Sequence, residues 1–352
     1  MRTTPGGLDA GSIGEERLFR LVASDVDGTL VPYGGELGRA TIEAVAELGA
    51  LGVPVVLATG RPPRWVGGLV AELGCADLVV CANGALILDA GSGEILDVTP
   101  LPPAVIRSAL RALGERWPGL EALVDVANVG GEDSPPVRLA AGQVEGELAS
   151  VPNGYPIKLL VRLPRERAGS HASGTAGSAP DQSAAVQPGD ATDVRRGEAT
   201  DGRAAGVAVG TGNEGAEPRV LARSLLDGLV EVTSSSDPYL LEISAAGVTK
   251  ASAVAKVAAA HSLDASAVVA FGDMPNDVPL LEWAGWGVAM TGGHPAAITV
   301  ADEVAPPAEE DGVAVVVRRL AAQGRLRRVG AGRVQQRSGL AAEPRPGSER
   351  AG

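Results

Sequence analysis

The residues best suited to chemistry lie in four short clusters far apart along the chain. The first is Ser24-Asp25-Val26-Asp27-Gly28-Thr29, which follows an apolar run at residues 18–23. Two carboxylates at i and i+2 beyond a strand can face one crevice if the chain turns there, and Gly28 permits the turn. One carboxylate can then attack a phosphorus atom while the other, when protonated, donates to the leaving oxygen. Plain turns and calcium loops also use Asp-x-Asp-Gly. Here the later acidic ligands and the bidentate glutamate of a calcium loop are missing, because Gly34-Gly35-Glu36 follows.

Thr59-Gly60-Arg61 closes a second apolar run, 53–58. A hydroxyl and unpaired backbone N–H groups at a helix entrance form an anion site, although the same residues also make an ordinary strand-to-helix turn. Lys250 opens a helix after Thr249; taken alone, such a lysine is a surface charge. Gly272-Asp273-Met274-Pro275-Asn276-Asp277 places two aspartates at i and i+4 with an amide between them, after a strand and before a helix. A hard cation such as Mg²⁺ requires oxygen ligands in near-octahedral placement, and Asp273 at the strand tip can reach one directly. Asn276 and Asp277 can hold its waters or fix Lys250, with helix capping as the plainer alternative.

These clusters need a frame that brings them together. Residues 18–23, 53–58 and 78–81 are short, continuously apolar runs, and helical spacing recurs over 41–51 (Ile42, Val45, Leu48) and 65–73. Strand–helix units in this order predict a parallel sheet with helices on its faces. Continuously apolar strands are what a sheet buried on both sides requires. In such sheets function collects just beyond the carboxyl ends of the strands, where these clusters fall.

After Asn83-Gly84 the rhythm changes. Residues 85–88 and 94–98 around Ala90-Gly91-Ser92-Gly93 read as a hairpin, followed by a helix at 103–117 and strands at 121–126 and 157–163. Residues 166–218 are Gly, Ala, Ser, Asp and Thr with almost no large apolar side chains, too few to offset the cost of ordering the backbone. A helix at 219–227 and strands at 229–233 and 239–243 complete the module. The strand–helix alternation then returns from 250 to 320. The predicted fold class is α/β. A Rossmann-like parallel-sheet core comes from 18–84 plus 246–322, and an inserted α+β cap from 85–245 contains a disordered insertion at 166–218. Residues 1–17 and 323–352 are expected to be disordered ends.

With 45% hydrophobic and 21% charged residues in 352, the chain has ample material for a core; with 3% aromatics, Val, Leu, Ala and Ile must build it. A net charge of −13 argues against a sequence-independent grip on nucleic acid or an anionic membrane. The basic run at 325–337 reads as a solvated end. The two cysteines, Cys75 and Cys81, suit a reducing cytoplasm and make no zinc site without histidine partners. No signal-peptide pattern opens the sequence, and no run nears the roughly 18 apolar residues that span a bilayer. A soluble cytoplasmic protein, monomeric or weakly dimeric, is expected.

The order of the four clusters resembles the haloacid dehalogenase superfamily of phosphohydrolases, in its Cof-type, class IIB branch, whose large cap lies between the second and third motifs. Val22-Ala23-Ser24-Asp25-Val26-Asp27-Gly28-Thr29-Leu30 looks like the first motif and Leu57-Ala58-Thr59-Gly60-Arg61 like the second. Lys250 falls where the third is expected, and Phe271-Gly272-Asp273-Met274-Pro275-Asn276-Asp277 resembles the fourth. Ala82-Asn83-Gly84-Ala85 and Glu310-Asp311-Gly312-Val313 also fit the branch, and the similarity spans about 18–322, the insertion excepted. The branch does not normally carry such an insertion in its cap.

The resemblance implies that Asp25 attacks phosphorus to form an aspartyl-phosphate. Asp27 would protonate the leaving alcohol and then activate water, while Thr59 and Lys250 hold the phosphoryl oxygens. Mg²⁺ would bind Asp25, the backbone carbonyl of Asp27, and Asp273, with Asp277 behind them; Gly60, Arg61, Asn83, Gly84 and Asn276 would bind substrate. The implied partner is a small-molecule phosphate ester such as a sugar phosphate or nucleotide-like compound, with neither nucleic acid nor membrane. A phosphotransferase of phosphohexomutase type and a non-catalytic binding protein of the same fold are the alternatives.

Overall fold

The computed structural model describes residues 17–74, 76–128, 136–139, 144–149, 154–164, 217–234, 237 and 239–329. Residues 1–16, nearly all of the low-complexity insertion and the tail from 330 lie outside them, as does Cys75.

The first part of the chain forms β1 (Leu21–Ser24), α1 (Arg39–Leu51), β2 (Val55–Ala58), α2 (Gly67–Leu73), β3 (Leu78–Cys81), β4 (Leu86–Asp89) and β5 (Ile95–Val98). Next come α3 (Pro103–Arg116), β6 (Glu121–Asn128), β7 (Val137–Leu139), α4 (Val144–Ala149), β8 (Gly154–Arg162), α5 (Pro218–Leu225), β9 (Val230–Thr233) and β10 (Leu240–Ala245). The last part forms α6 (Lys250–Ala260), β11 (Val268–Gly272), α7 (Val278–Trp283), β12 (Trp286–Met290), α8 (Pro295–Val300), β13 (Glu303–Ala305) and α9 (Gly312–Ala322).

The described strands make two sheets. The larger runs β13-β12-β11-β1-β2-β3-β4-β5, parallel from β13 to β3. Alternate residues of its strands enter two separate cores, as a pleat of period two requires. Val22, Leu57, Val79, Phe271 and Val288 pack with α1, α2 and α9, whereas Ala23, Val56, Ala58, Val80 and Ala270 pack with α6, α7 and α8. Both faces are covered, and this explains why β1, β2, β3, β11 and β12 are buried along their whole length.

The smaller sheet, β7-β6-β8-β10-β9, is antiparallel. One of its faces holds Val124, Leu159, Val161, Leu241 and Ile243 against Ile106, Ala109 and Leu113 of α3 and Ala222 of α5. The other face carries Asp125 directly opposite Lys158, and Glu242 directly opposite Thr233. This is the α+β cap inserted between β5 and α6.

Two expectations are corrected. The hairpin β4–β5, assigned to the inserted module on sequence, pairs through β4 with β3 and lengthens the larger sheet. The open edge of β3 and the full burial of β4 account for the pairing. The tail does not begin at 323. Leu326 bridges Phe19, with backbone hydrogen bonds from Phe19 to the Arg325 carbonyl (2.8 Å) and from Arg327 to the Phe19 carbonyl (2.9 Å). Arg325, expected in a solvated run, is instead buried and donates to the Arg17 carbonyl at 2.7 Å.

The Glu310-Asp311-Gly312-Val313 segment acts as a tether. Asp311 Oδ1 accepts from the Thr41 backbone N–H at 3.1 Å and the Thr41 hydroxyl at 2.6 Å, capping the first turn of α1 from a distance.

Candidate active site

The carboxyl ends of adjacent parallel strands bring the clusters together. The Asp25 N–H donates to the Phe271 carbonyl at 3.0 Å, so Asp25 at the tip of β1 lies beside Gly272-Asp273 at the tip of β11. Beyond Asp25 the chain reverses: the Val26 carbonyl accepts from the N–H groups of Leu30 (2.9 Å) and Val31 (2.8 Å). Gly28 has φ +84°, and a Cβ there would lie 2.3 Å from Asp273 Oδ2 and from the Tyr33 ring.

Lys250 is placed by the start of α6. Thr249 and Ser252 form a reciprocal capping box, which fixes Lys250 as the first helical residue. Gly84, with φ +111°, lets the chain after β3 pass this segment; a Cβ there would lie 2.2 Å from the Thr249 carbonyl oxygen. The buried Lys250 ammonium donates to Asp25 Oδ1 and Asp277 Oδ1, each at 2.6 Å. Asp277 Oδ2 accepts from the backbone N–H groups of Asp273 (3.1 Å) and Met274 (2.9 Å). Asp277 is therefore a brace that fixes both Lys250 and the Asp273 loop. Asp273 accepts from the Thr29 hydroxyl on Oδ1 and the Tyr33 hydroxyl on Oδ2, both at 2.8 Å.

Carboxylate oxygens of Asp25, Asp273 and Asp277 all lie within 4.8 Å of one another, and all three residues are buried. Burial, together with the charge of Asp277, pushes the Asp25 pKa well above the usual carboxylate range, against the opposing pull of Lys250. Burial and Asp277 raise Asp273 as well. Burial also works against the charge on Lys250, yet Asp25 and Asp277 outweigh it and raise its pKa. The cluster thus holds three carboxylates against one ammonium. At an effective dielectric near 20, two like charges at 4.8 Å repel by about 3.5 kcal/mol. An all-oxygen, over-negative set of this kind fits a hard divalent cation. Lys250 takes only Oδ1 of Asp25, which leaves Oδ2 for another ligand.

Asp27 stands outside this cluster. Its carboxylate is gripped by the Arg61 fork, Nε to Oδ2 at 2.9 Å and Nη2 to Oδ1 at 2.5 Å. Ser24 pairs with Leu57, which sets the buried Thr59 just past the tip of β2, next to that of β1. The Thr59 hydroxyl accepts from the Arg61 N–H at 3.0 Å. The Gly60 carbonyl accepts from Lys158 of the cap at 2.6 Å. Asn83, with left-handed φ 57°, is buried; its Nδ2 donates to Glu242 Oε2 at 2.6 Å and its Oδ1 accepts from Asn276 Nδ2 at 3.1 Å.

Several site neighbours escaped sequence reasoning. Arg64 donates to Asp125 Oδ1 at 2.7 Å, and Lys158 lies 3.3 Å from Glu242 Oε2. Asp125, Lys158 and Glu242 alternate with apolar residues in their strands, a pattern that reads as a solvated face. In the fold that face is turned onto the core and buried. Tyr33, on a turn after the first motif, gave no signal beyond its type.

The chain matches the haloacid dehalogenase-like hydrolases over residues 22–125 and 216–317, and it belongs to that family. It is 25% identical to the candidate phosphatase YkrA of Bacillus subtilis over 86% of this chain and 97% of that one. A shorter stretch, 25% of this chain and 35% of the relative, is 38% identical to 5-amino-6-(5-phospho-D-ribitylamino)uracil phosphatase YcsE of the same organism. The fold is shared with the subclass IIB sugar phosphatase BT4131 at a TM-score of 0.57 and 18% identity, over 86% of this chain and 99% of that one. Among the described residues no helix is long and apolar enough to cross a membrane.

Gly28→Ala is expected to lower stability by about 1–2 kcal/mol through the left-handed backbone alone, with a further loss as Tyr33 leaves Asp273. Urea denaturation reads the change, and an unaltered midpoint would show that this close approach is not needed.

Proposed function

We propose that the chain is a Mg²⁺-dependent phosphomonoesterase that works through an aspartyl-phosphate on Asp25. The observation that carries this reading is the buried group of Asp25, Asp273 and Asp277 sharing the single ammonium of Lys250. A purely structural network would balance its charges; this one is left with a deficit that suits a divalent cation and a bound phosphoryl group.

Asp25 Oδ2 attacks phosphorus in line, the bond from phosphorus to the ester oxygen breaks, and the departing oxygen takes a proton from Asp27. Asp27 then accepts a proton from the water that attacks the aspartyl-phosphate. Inorganic phosphate leaves, and the Asp25 carboxylate is restored. The Arg61 fork holds the Asp27 carboxylate in place; donation in the first step follows loosening of that pair. Lys250 and Thr59 steady the phosphoryl oxygens. Asp25, Asp273 and the Asp27 carbonyl would hold Mg²⁺, which would supply charge neutralisation at the phosphoryl group. Gly60, Arg61, Asn83, Gly84 and Asn276 line the leaving-group side.

The substrate is a small phosphorylated metabolite. The names of relatives that act on a phosphoribitylamino-uracil and on sugar phosphates support that class, and a cytoplasmic setting suits it.

Asp25→Asn is expected to cut turnover of p-nitrophenyl phosphate by at least about 10³-fold, since it removes the covalent step; hydrolysis near the wild-type rate would refute the nucleophile. EDTA followed by gel filtration is expected to abolish phosphate release, and added Mg²⁺ to restore it. Turnover that persists in EDTA would count against the metal assignment.

A further inference from the structure

Resting on the phosphatase reading of this site, we propose that Glu242 of the cap is a positioning residue that makes Asn276 an acceptor for a hydroxyl on the substrate's leaving group. The enzyme then selects phosphate esters that carry a hydroxyl near the ester oxygen.

A chain of hydrogen bonds with a fixed polarity runs from Glu242 through Asn83 to Asn276. The Glu242 carboxylate, paired with Lys158 at 3.3 Å, can only accept. The Asn83 group 2.6 Å from it must therefore be the NH₂ end of the amide. That orientation turns Asn83 Oδ1 toward Asn276, whose Nδ2 donates to it at 3.1 Å. With its NH₂ engaged there, Asn276 presents Oδ1 as an acceptor. Asn276 is only 6% exposed, and this oxygen has no hydrogen-bond partner among the described residues.

A buried amide oxygen without a donor is rare and calls for a ligand. Its position says which part of the ligand. Asn276 precedes Asp277, which holds Lys250 on Asp25, and it touches Asn83, which touches the cap. It therefore sits between the phosphoryl-binding cluster and the cap, where the leaving group of a bound ester lies. An ionised phosphoryl group offers no donor, so the donor must come from the leaving group. The Asn83 and Asn276 amides are symmetric enough to turn over, and the cap carboxylate is what prevents it. A site that hydrogen-bonds a substrate hydroxyl disfavours the analogue lacking it, because the buried acceptor is then left unpaired.

The test compares kcat/KM for glycerol 1-phosphate and propyl phosphate, which differ only in hydroxyl groups, in the wild-type chain and in Glu242→Ala and Asn276→Ala. The wild type is expected to prefer glycerol 1-phosphate by about tenfold or more, and in both variants the ratio is expected to fall close to one. General loosening of the fold lowers both esters alike and leaves the ratio intact. No preference in the wild type, or a wild-type ratio in either variant, overturns the proposal. Parallel assays with p-nitrophenyl phosphate separate the two readings. If the wild type hydrolyses it without preferring glycerol 1-phosphate, only the role of Glu242 and Asn276 is lost. If it releases phosphate from none of the three, the phosphatase reading falls and this proposal with it.

Discussion

Lys250 lies at the centre of a charge problem that organises the rest of the structure. Its ammonium is shared by Asp25 and Asp277 while Asp273 crowds the same space. Breaking a buried ion pair by removing one partner typically costs 3–5 kcal/mol, so each group here constrains the others. The capping box at Thr249, the close passage at Gly84 and the brace from Asp277 to the Asp273 loop all fix Lys250 or its partners. The parallel sheet supplies the remaining requirement, since adjacent β1 and β11 end side by side. Positional accuracy at the strand tips comes from strands buried on both faces.

The cap meets this centre with a polar sheet face. Asp125, Lys158 and Glu242 reach Arg64, the Gly60 carbonyl and Asn83, groups that belong to or border the second motif and the chain after β3. Charged residues removed from water in this way are costly unless paired, and most of these are paired across the two layers. Among the described residues, two of the three buried side-chain polar atoms without a hydrogen-bond partner, Asp125 Oδ2 and Asn276 Oδ1, lie along this same seam, and Lys158 Nζ stands 3.9 Å from Asp125 Oδ2. On the proposed reading, the chemistry at phosphorus belongs to the core and discrimination among leaving groups to the seam.

How much could be read from the chain itself follows from the range of the forces involved. Asp25, Thr59, Lys250 and Asp273 each close a short apolar strand or open a helix, but Lys250 alone reads as a surface charge and Thr59 as part of an ordinary turn; the order of the four clusters and the family resemblance singled them out as a set. The apolar runs of β1, β2, β3 and β11 similarly announced a sheet covered on both faces. Strand partners are not encoded locally: β4–β5 reads as a hairpin in sequence, and only the open edge of β3 decides which sheet it joins. The polar stripe of the cap was illegible for a related reason, since alternation cannot tell water from another layer of protein. Likewise, Leu326 looks like part of a basic, Gly-rich end until Phe19 is seen beside it. The placement of residues 166–216 lies outside the described structure.

The most direct test of the account is anomalous diffraction from crystals grown with Mn²⁺ as a stand-in for Mg²⁺. One anomalous peak within coordination distance of the carboxylates of Asp25 and Asp273 is the expected result. Well-ordered crystals in which that space shows no peak, with Lys250 as the only cation facing the three aspartates, would contradict it.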